Sequence, residues 1–139
     1  MKGMKRILVC IDGSKCSNEA ASNAAEIASK FDAEVVLLHV YKPPETTRDL
    51  PAHEHRADAS KTLETARTIM KEKGLRFMEM VEVGSPANLI LKESANGYDL
   101  IVLGSRGLGA MEGFLLGSVT SKVVHHAKVP TLIVPCEGE

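Results

Sequence analysis

The chain has 139 residues, 44% hydrophobic and 25% charged, which suits one ordinary globular domain over residues 1–139 and excludes disorder. A domain of this length buries roughly 68% of the surface its unfolded chain exposes, enough for a sizeable core. A net charge of −1 offers no field for gathering nucleic acid, and no apolar run nears the ~18 residues that span a bilayer, so neither nucleic acid nor membrane is an expected partner.

Arg6–Ile11 is an apolar run of strand length, and Asp12-Gly13-Ser14 ends it with turn chemistry. From Lys15 to Phe31 the residues Ala24, Ile27, Ala28 and Phe31 mark one stripe of an amphipathic helix. Val35–Tyr41 is apolar without alternation, as in a parallel strand covered on both faces. Lys42–Pro51 holds three of the six prolines and reads as a surface loop. A second helix spans about 53–73, with Ala59, Leu63, Ala66 and Met70 on one face and Gly74 beyond its end. Glu79 and Glu82 interrupt the apolar residues of Arg76–Val83, which suits a sheet edge. Ser85-Pro86 opens a third helix whose stripe is Ala87, Ile90, Leu91 and Ala95, stopped by Asn96-Gly97. Asp99–Leu103 is another fully apolar strand, a helix after Gly117 carries Val119 and Val123, and Thr131–Val134 is the last strand. This alternation predicts an α/β fold with a five-stranded parallel sheet and helices on both faces.

The stretch from Gly104 to Thr120 carries the chemistry. Four glycines (Gly104, Gly107, Gly109, Gly113) fall within ten residues, and Gly117-Ser118 stands where the next helix begins. Such a loop, with unpaired N–H groups and the positive end of a helix dipole behind it, is the construction of a phosphate site; alternatively it is only flexible. No Gly-Lys-Ser/Thr occurs, so a P-loop NTPase is excluded, and the dinucleotide fingerprint fails because its third position is Glu112.

What remains is Gly104-x-x-Gly107, nine residues, then Gly117-Ser118. This resembles the nucleotide-binding signature of the universal stress protein family, in its ATP-binding branch. The resemblance runs nearly end to end, through Ile11-Asp12-Gly13-Ser14, Leu38-His39-Val40, Gly84-Ser85-Pro86, the run from Tyr98 to Gly104 and Val129-Pro130. It implies an open, Rossmann-like sheet of the adenine nucleotide alpha hydrolase type, with strand order 3-2-1-4-5. It also implies a homodimer paired through the last strand, Thr131 to Val134, whose apolar edge would otherwise be a liability.

For the site, the resemblance implies ATP with a magnesium or manganese ion bridging its phosphates, Asp12 on the adenosine half, and Ile11 and Val40 lining the base pocket. Backbone N–H groups of Gly107, Gly117, Ser118 and Val119, with the Ser118 hydroxyl, are the expected phosphate donors, and Gly104, Gly107 and Gly117 would let backbone approach phosphate. Several residues keep two readings. Asp12 also fits a cap on the first helix, Arg106 a phosphate partner or a solvated loop residue, and Thr120 a phosphate contact or a bond within its own helix. His53-Glu54-His55 has poor spacing for a metal, and His125-His126 suit a helix end.

No C-x-x-C pair links Cys10, Cys16 and Cys136, which read as thiols of a reducing, cytoplasmic compartment. Cys16, near a helix start, is either a redox-reactive or a packed thiol, and Cys136 lies beyond the expected dimer strand. The leading functional expectation is a nucleotide-dependent regulatory or stress-response dimer. The alternatives are a slow ATPase or adenylyl-transferring enzyme, with Glu112 and His39 the candidate bases and no orienting partner evident for either, and a dimer that keeps the loop without binding nucleotide.

Overall fold

Short apolar runs become strands and the amphipathic stretches between them become helices. In the computed structural model, which describes residues 3–42, 52–108 and 116–136, the strands are β1 (Arg6–Cys10), β2 (Glu34–Tyr41), β3 (Phe77–Val83), β4 (Leu100–Gly104) and β5 (Thr131–Val134). They alternate with α1 (Lys15–Phe31), α2 (Ala52–Glu72), α3 (Pro86–Ser94) and α4 (Ser118–His126). The strands form one parallel sheet in the order β3-β2-β1-β4-β5, as the resemblance implied.

The pleat sorts the side chains into two layers. Ile7, Val9, Val35, Leu37 and Val102 point to the face covered by α1 and α2, where they meet Ala20, Ala24, Ala28, Leu63, Ala66 and Met70. Leu8, Val36, Leu38, Ile101 and Leu103 point the other way, toward Ala87, Ile90 and Val123 of α3 and α4. Charged β3 lies at one edge with Val83 59% exposed, while β4 in the interior is buried along its length.

Two helix stripes differ from the sequence reading. Phe31 is 60% exposed and Ile27 only partly buried; α1 instead presents Ala20, Ala21, Ala24, Ala25 and Ala28 to the sheet. Methyl side chains let the helix axis come close, and that close approach selects the alanine face over the bulkier one. In α3 the helix ends at Ser94, so Ala95 falls on the exposed cap and Ser94 is the buried residue. The 43–51 loop, residues Gly109, Glu112 and Gly113, and the side chains of His53, Glu54 and His55 lie outside the described residues.

The order of strands reverses at β1, whose two neighbours are β2 and β4. Loops leaving β1 and β4 on opposite faces open a crevice at the carboxyl ends of these strands.

Candidate functional site

The crevice is built from the ends of β1, β2 and β4. Ile11 continues the ladder past β1, donating its N–H to Leu38 O at 2.8 Å. The chain then turns through Gly13 (φ +88°) into α1, whose N-cap is Ser14: its hydroxyl oxygen accepts from Ser17 N at 3.1 Å. Asp12 is therefore not the cap of α1. Its carboxylate spans two segments instead, Oδ1 accepting from Ser14 N at 2.9 Å and Oδ2 from Leu108 N at 3.0 Å. One carboxylate thus ties the glycine loop to the start of α1.

From β2 comes His39, buried at 7% exposure, whose Nδ1 lies 2.8 Å from Ile11 O. A carbonyl only accepts, so Nδ1 carries the proton of this contact. The sequence shows no orienting partner for this histidine; the structure supplies one in the Ile11 carbonyl.

At the tip of β4 the described glycines 104, 107 and 117 each have a reason, and in each case it is a neighbour within the chain. A Cβ on Gly104 would sit 2.9 Å from both the backbone carbon and Sγ of Cys16. One on Gly107 would overlap the Asp12 carboxylate, and one on Gly117 would press on Arg106 Cα at 3.3 Å and Gly107 N at 3.4 Å. These absences let the loop fold onto β1, α1 and α4, a different account from the expected approach to phosphate.

Helix α4 starts at Gly117, which has no side chain to cap it. Its own N–H, an expected phosphate donor, donates to Ser105 O at 2.8 Å. The N–H groups of Ser118 and Val119 in the first turn have no partner among the described residues, and Ser118 is exposed. Thr120 is buried and donates to Gly104 O at 2.8 Å, pinning α4 to the end of β4 rather than bonding within its own helix.

These elements enclose a cavity of about 430 Å³. Ile11, Asp12, Val40, Gly104, Arg106, Gly107, Val119 and Thr120 line it, whereas Gly117 and Ser118 stand outside its wall. The lining also includes His39, Tyr41, Lys42, Pro86, Ile90 and Leu108. Pro86 and Ile90 arrive from α3 on the far side of the sheet's switch point, and no local motif signals that. Leu38, Ile90 and Leu103 give the inner end an apolar wall, and Arg106 and Lys42 bring positive charge to the mouth. Cys10 in the same wall is inert: burial, then the Asp12 charge, push its thiol up to about 12.

Reading all three cysteines as thiols is corrected by the structure. Cys16 and Cys136 form a disulfide, with Cα atoms 5.1 Å apart and 120 residues of separation. Parallel β5 ends beside the first turn of α1, and that juxtaposition of distant segments brings the two sulfurs together. Cys10 is the free cysteine.

A family model described as the universal stress protein family matches residues 3–135. The chain is 35% identical to universal stress protein MJ0531 of Methanocaldococcus jannaschii, over 94% of this chain and 81% of that protein. It is 34% identical to universal stress protein YxiE of Bacillus subtilis, over 93% of this chain and 97% of that one. A solved universal stress protein in complex with cAMP, 28% identical, superposes with a TM-score of 0.77, covering 96% of this chain and 98% of its own.

Proposed function

This chain belongs to the universal stress protein family, and from that premise we propose that it binds ATP in the crevice between β1, β2 and β4 and acts as a nucleotide-dependent regulatory or stress-response protein. The observation that carries the reading is the start of α4. A helix that begins on an uncapped glycine, with the Ser118 and Val119 N–H groups unpartnered among the described residues and the Ser118 hydroxyl exposed, offers donors and a positive dipole end to an anion. Each hydrogen bond to a charged phosphate oxygen contributes about 1.5–3 kcal/mol. The apolar inner wall takes the base, with Ile11 and Val40 against its faces. Asp12, each oxygen already accepting one N–H, keeps lone pairs for a ribose hydroxyl. A bound cAMP in one 28%-identical relative supports an adenine nucleotide in this chain too.

Magnesium or manganese, in this reading, arrives with the phosphates. Asp12 is the carboxylate in the described cavity wall and both of its oxygens hold backbone N–H groups, so the described wall adds no ligand cage; magnesium carried by phosphate and water needs none.

Homodimerisation is supported by β5. Pro130 O and Val134 O accept from Ile101 N of β4 and from Ser105 N just past its end, which turns the N–H groups of Thr131 and Ile133 to the open edge. An apolar edge of that kind is satisfied by a second copy. A cytoplasmic location is the companion expectation; among the described residues, no helix is long and apolar enough to cross a membrane.

Calorimetric titration of magnesium-ATP into nucleotide-free protein tests the reading, with AMP and cAMP run in parallel. Micromolar or tighter binding is expected, and absence of binding to all three overturns it. Phosphate release followed in the same samples separates binding from hydrolysis, and background turnover is expected.

A further inference from the structure

We propose that the Cys16–Cys136 disulfide is a thiol-exchange site, opened by a dithiol reductant, that sets the order of the Gly104–Gly107 loop and through it the affinity of the crevice for nucleotide. The second half of this statement rests on the nucleotide reading above. The first half stands on its own geometry.

The two sulfurs differ in access and in environment. Cys16 is fully buried in the first turn of α1, whereas Cys136 is partly exposed beyond the end of β5. A reductant thiolate therefore attacks Cys136 Sγ. The Cys16–Cys136 bond breaks, a mixed disulfide forms between the reductant and Cys136, and the electron pair leaves on Cys16 Sγ. Cys16 Sγ leaves because it is the partner of the sulfur attacked, and the positive end of the α1 dipole faces the charge it takes up. The reductant's second thiolate then attacks its own sulfur in the mixed disulfide and expels Cys136 thiolate. The reductant ends as a disulfide, and the two protein thiolates take up the two protons its thiols released. Two electrons enter the protein and none is unaccounted for.

The disulfide touches the loop directly. The place where Gly104 would carry a Cβ is filled by Cys16, with Sγ at 2.9 Å from that point, and Cys16 Sγ lies 3.6 Å from Ser105 Oγ. Two residues before Cys136, Val134 O accepts from Ser105 N at 2.9 Å, and Ser105 O accepts from Gly117 N at 2.8 Å. A continuous run of contacts thus leads from the disulfide through Ser105 to the start of α4. While the bond is closed, the end of β5 is anchored and Ser105 is held from both sides. Once it opens, residues 134–136 lose their covalent anchor at the sheet edge, Ser105 loosens, and the helix start it positions loses its alignment. On the cytoplasmic reading above, a disulfide belongs chiefly to transient or sensing chemistry, which suits this use of one.

The test uses the full chain equilibrated in oxidised or reduced dithiothreitol, with Cys136→Ser as a variant that leaves the buried Cys16 in place. Alkylation after denaturation is expected to add one maleimide per oxidised chain, at Cys10, and three per reduced chain. Hydrogen exchange at Ser105, Leu108 and Gly117 is expected to quicken at least tenfold on reduction. Magnesium-ATP affinity is expected to fall about tenfold in the reduced protein and equally in Cys136→Ser, which no longer responds to dithiothreitol. Three adducts under oxidising conditions, or a disulfide-linked dimer on a non-reducing gel, overturns the site. Equal exchange in the two redox states overturns its control of the loop, whatever ATP does. Faster exchange with unchanged affinity overturns the coupling to nucleotide, while faster exchange with no ATP binding in either state sinks the nucleotide reading and sustains the thiol site.

Discussion

Helices α1 and α4 start at the same level of the sheet, just beyond neighbouring strands β1 and β4, yet their first turns are finished in opposite ways. At α1 the Ser14 hydroxyl accepts from Ser17 N, the Ser14 N–H goes to Asp12, and the Ser17 hydroxyl donates to Ser14 O. At α4 a glycine stands in the cap position, its N–H goes back to Ser105, and the next two N–H groups have no partner among the described residues. Both helices have the dipole, and among the described residues the first two N–H groups of each have no partner; the difference is the third, which a cap side chain takes at Ser17 of α1 and nothing takes at Thr120 of α4. A helix N-terminus becomes an anion site through what its cap residue fails to do, and one side chain decides it.

The largest effect comes from making the second start like the first. Gly117→Asp puts a carboxylate where a cap belongs, fills the open donors and repels phosphate, and should weaken magnesium-ATP binding by about 100-fold or more, since two charge-assisted bonds of ~1.5–3 kcal/mol are lost. Undiminished binding would show that the phosphates lie elsewhere. Next in size is Gly104→Ala, whose methyl meets the backbone of Cys16 and should lower stability by about 1–3 kcal/mol in urea unfolding, the usual range for overpacking.

A pair of serine deletions sharpens the contrast. Ser14→Ala removes a cap and should lower stability by about 1 kcal/mol while ATP affinity is unchanged. Ser118→Ala should do the reverse, lowering ATP affinity about tenfold with the melting temperature unmoved. If both variants lose stability and neither loses affinity, the distinction between the two starts fails. Smallest is a pH effect. Cys10, beside Asp12, is raised from 9.0 to about 12 by burial and then by the Asp12 charge. Above pH 9 the unfolded chain gives up this proton and the native chain keeps it, so stability falls as pH rises, by at most ~1.4 kcal/mol per pH unit. Tyr98, also raised by burial and by its bond to Glu93, adds a slope of the same sign only above its ordinary value of 10.0. Urea midpoints between pH 9 and 10 should therefore decline in the wild type and flatten in Cys10→Ala.

The central strands were readable because burial on both faces leaves unbroken apolar runs, and β3 because edge strands tolerate Glu79 and Glu82. The sheet order needed the family resemblance, since apolar runs alone do not say which neighbour each takes. Glycines 104, 107 and 117 were readable as places of close approach, but what approaches was not. Cys16, Asp12 and the 105–107 loop reach them from segments up to 95 residues away, as in the Asp12 bond to Gly107's neighbour Leu108, 96 positions on. The same distance hid the Cys16–Cys136 pair, for which spacing carries no signal. The walls contributed by Pro86 and Ile90 of α3 follow from the crossover of the chain and leave no mark in any local motif.

The placement of that disulfide also fixes how the protein bears load. β5 is a four-residue edge strand, which a pull from the C-terminus would ordinarily peel away one hydrogen bond at a time. Because Cys136 is bonded to α1, tension applied beyond it bypasses β5 and enters at the first turn of the alanine-faced helix packed on the middle of the sheet. The shortest of the described strands is thereby taken out of the path of force, so pulling the oxidised chain from beyond Cys136 loads the interior rather than the rim.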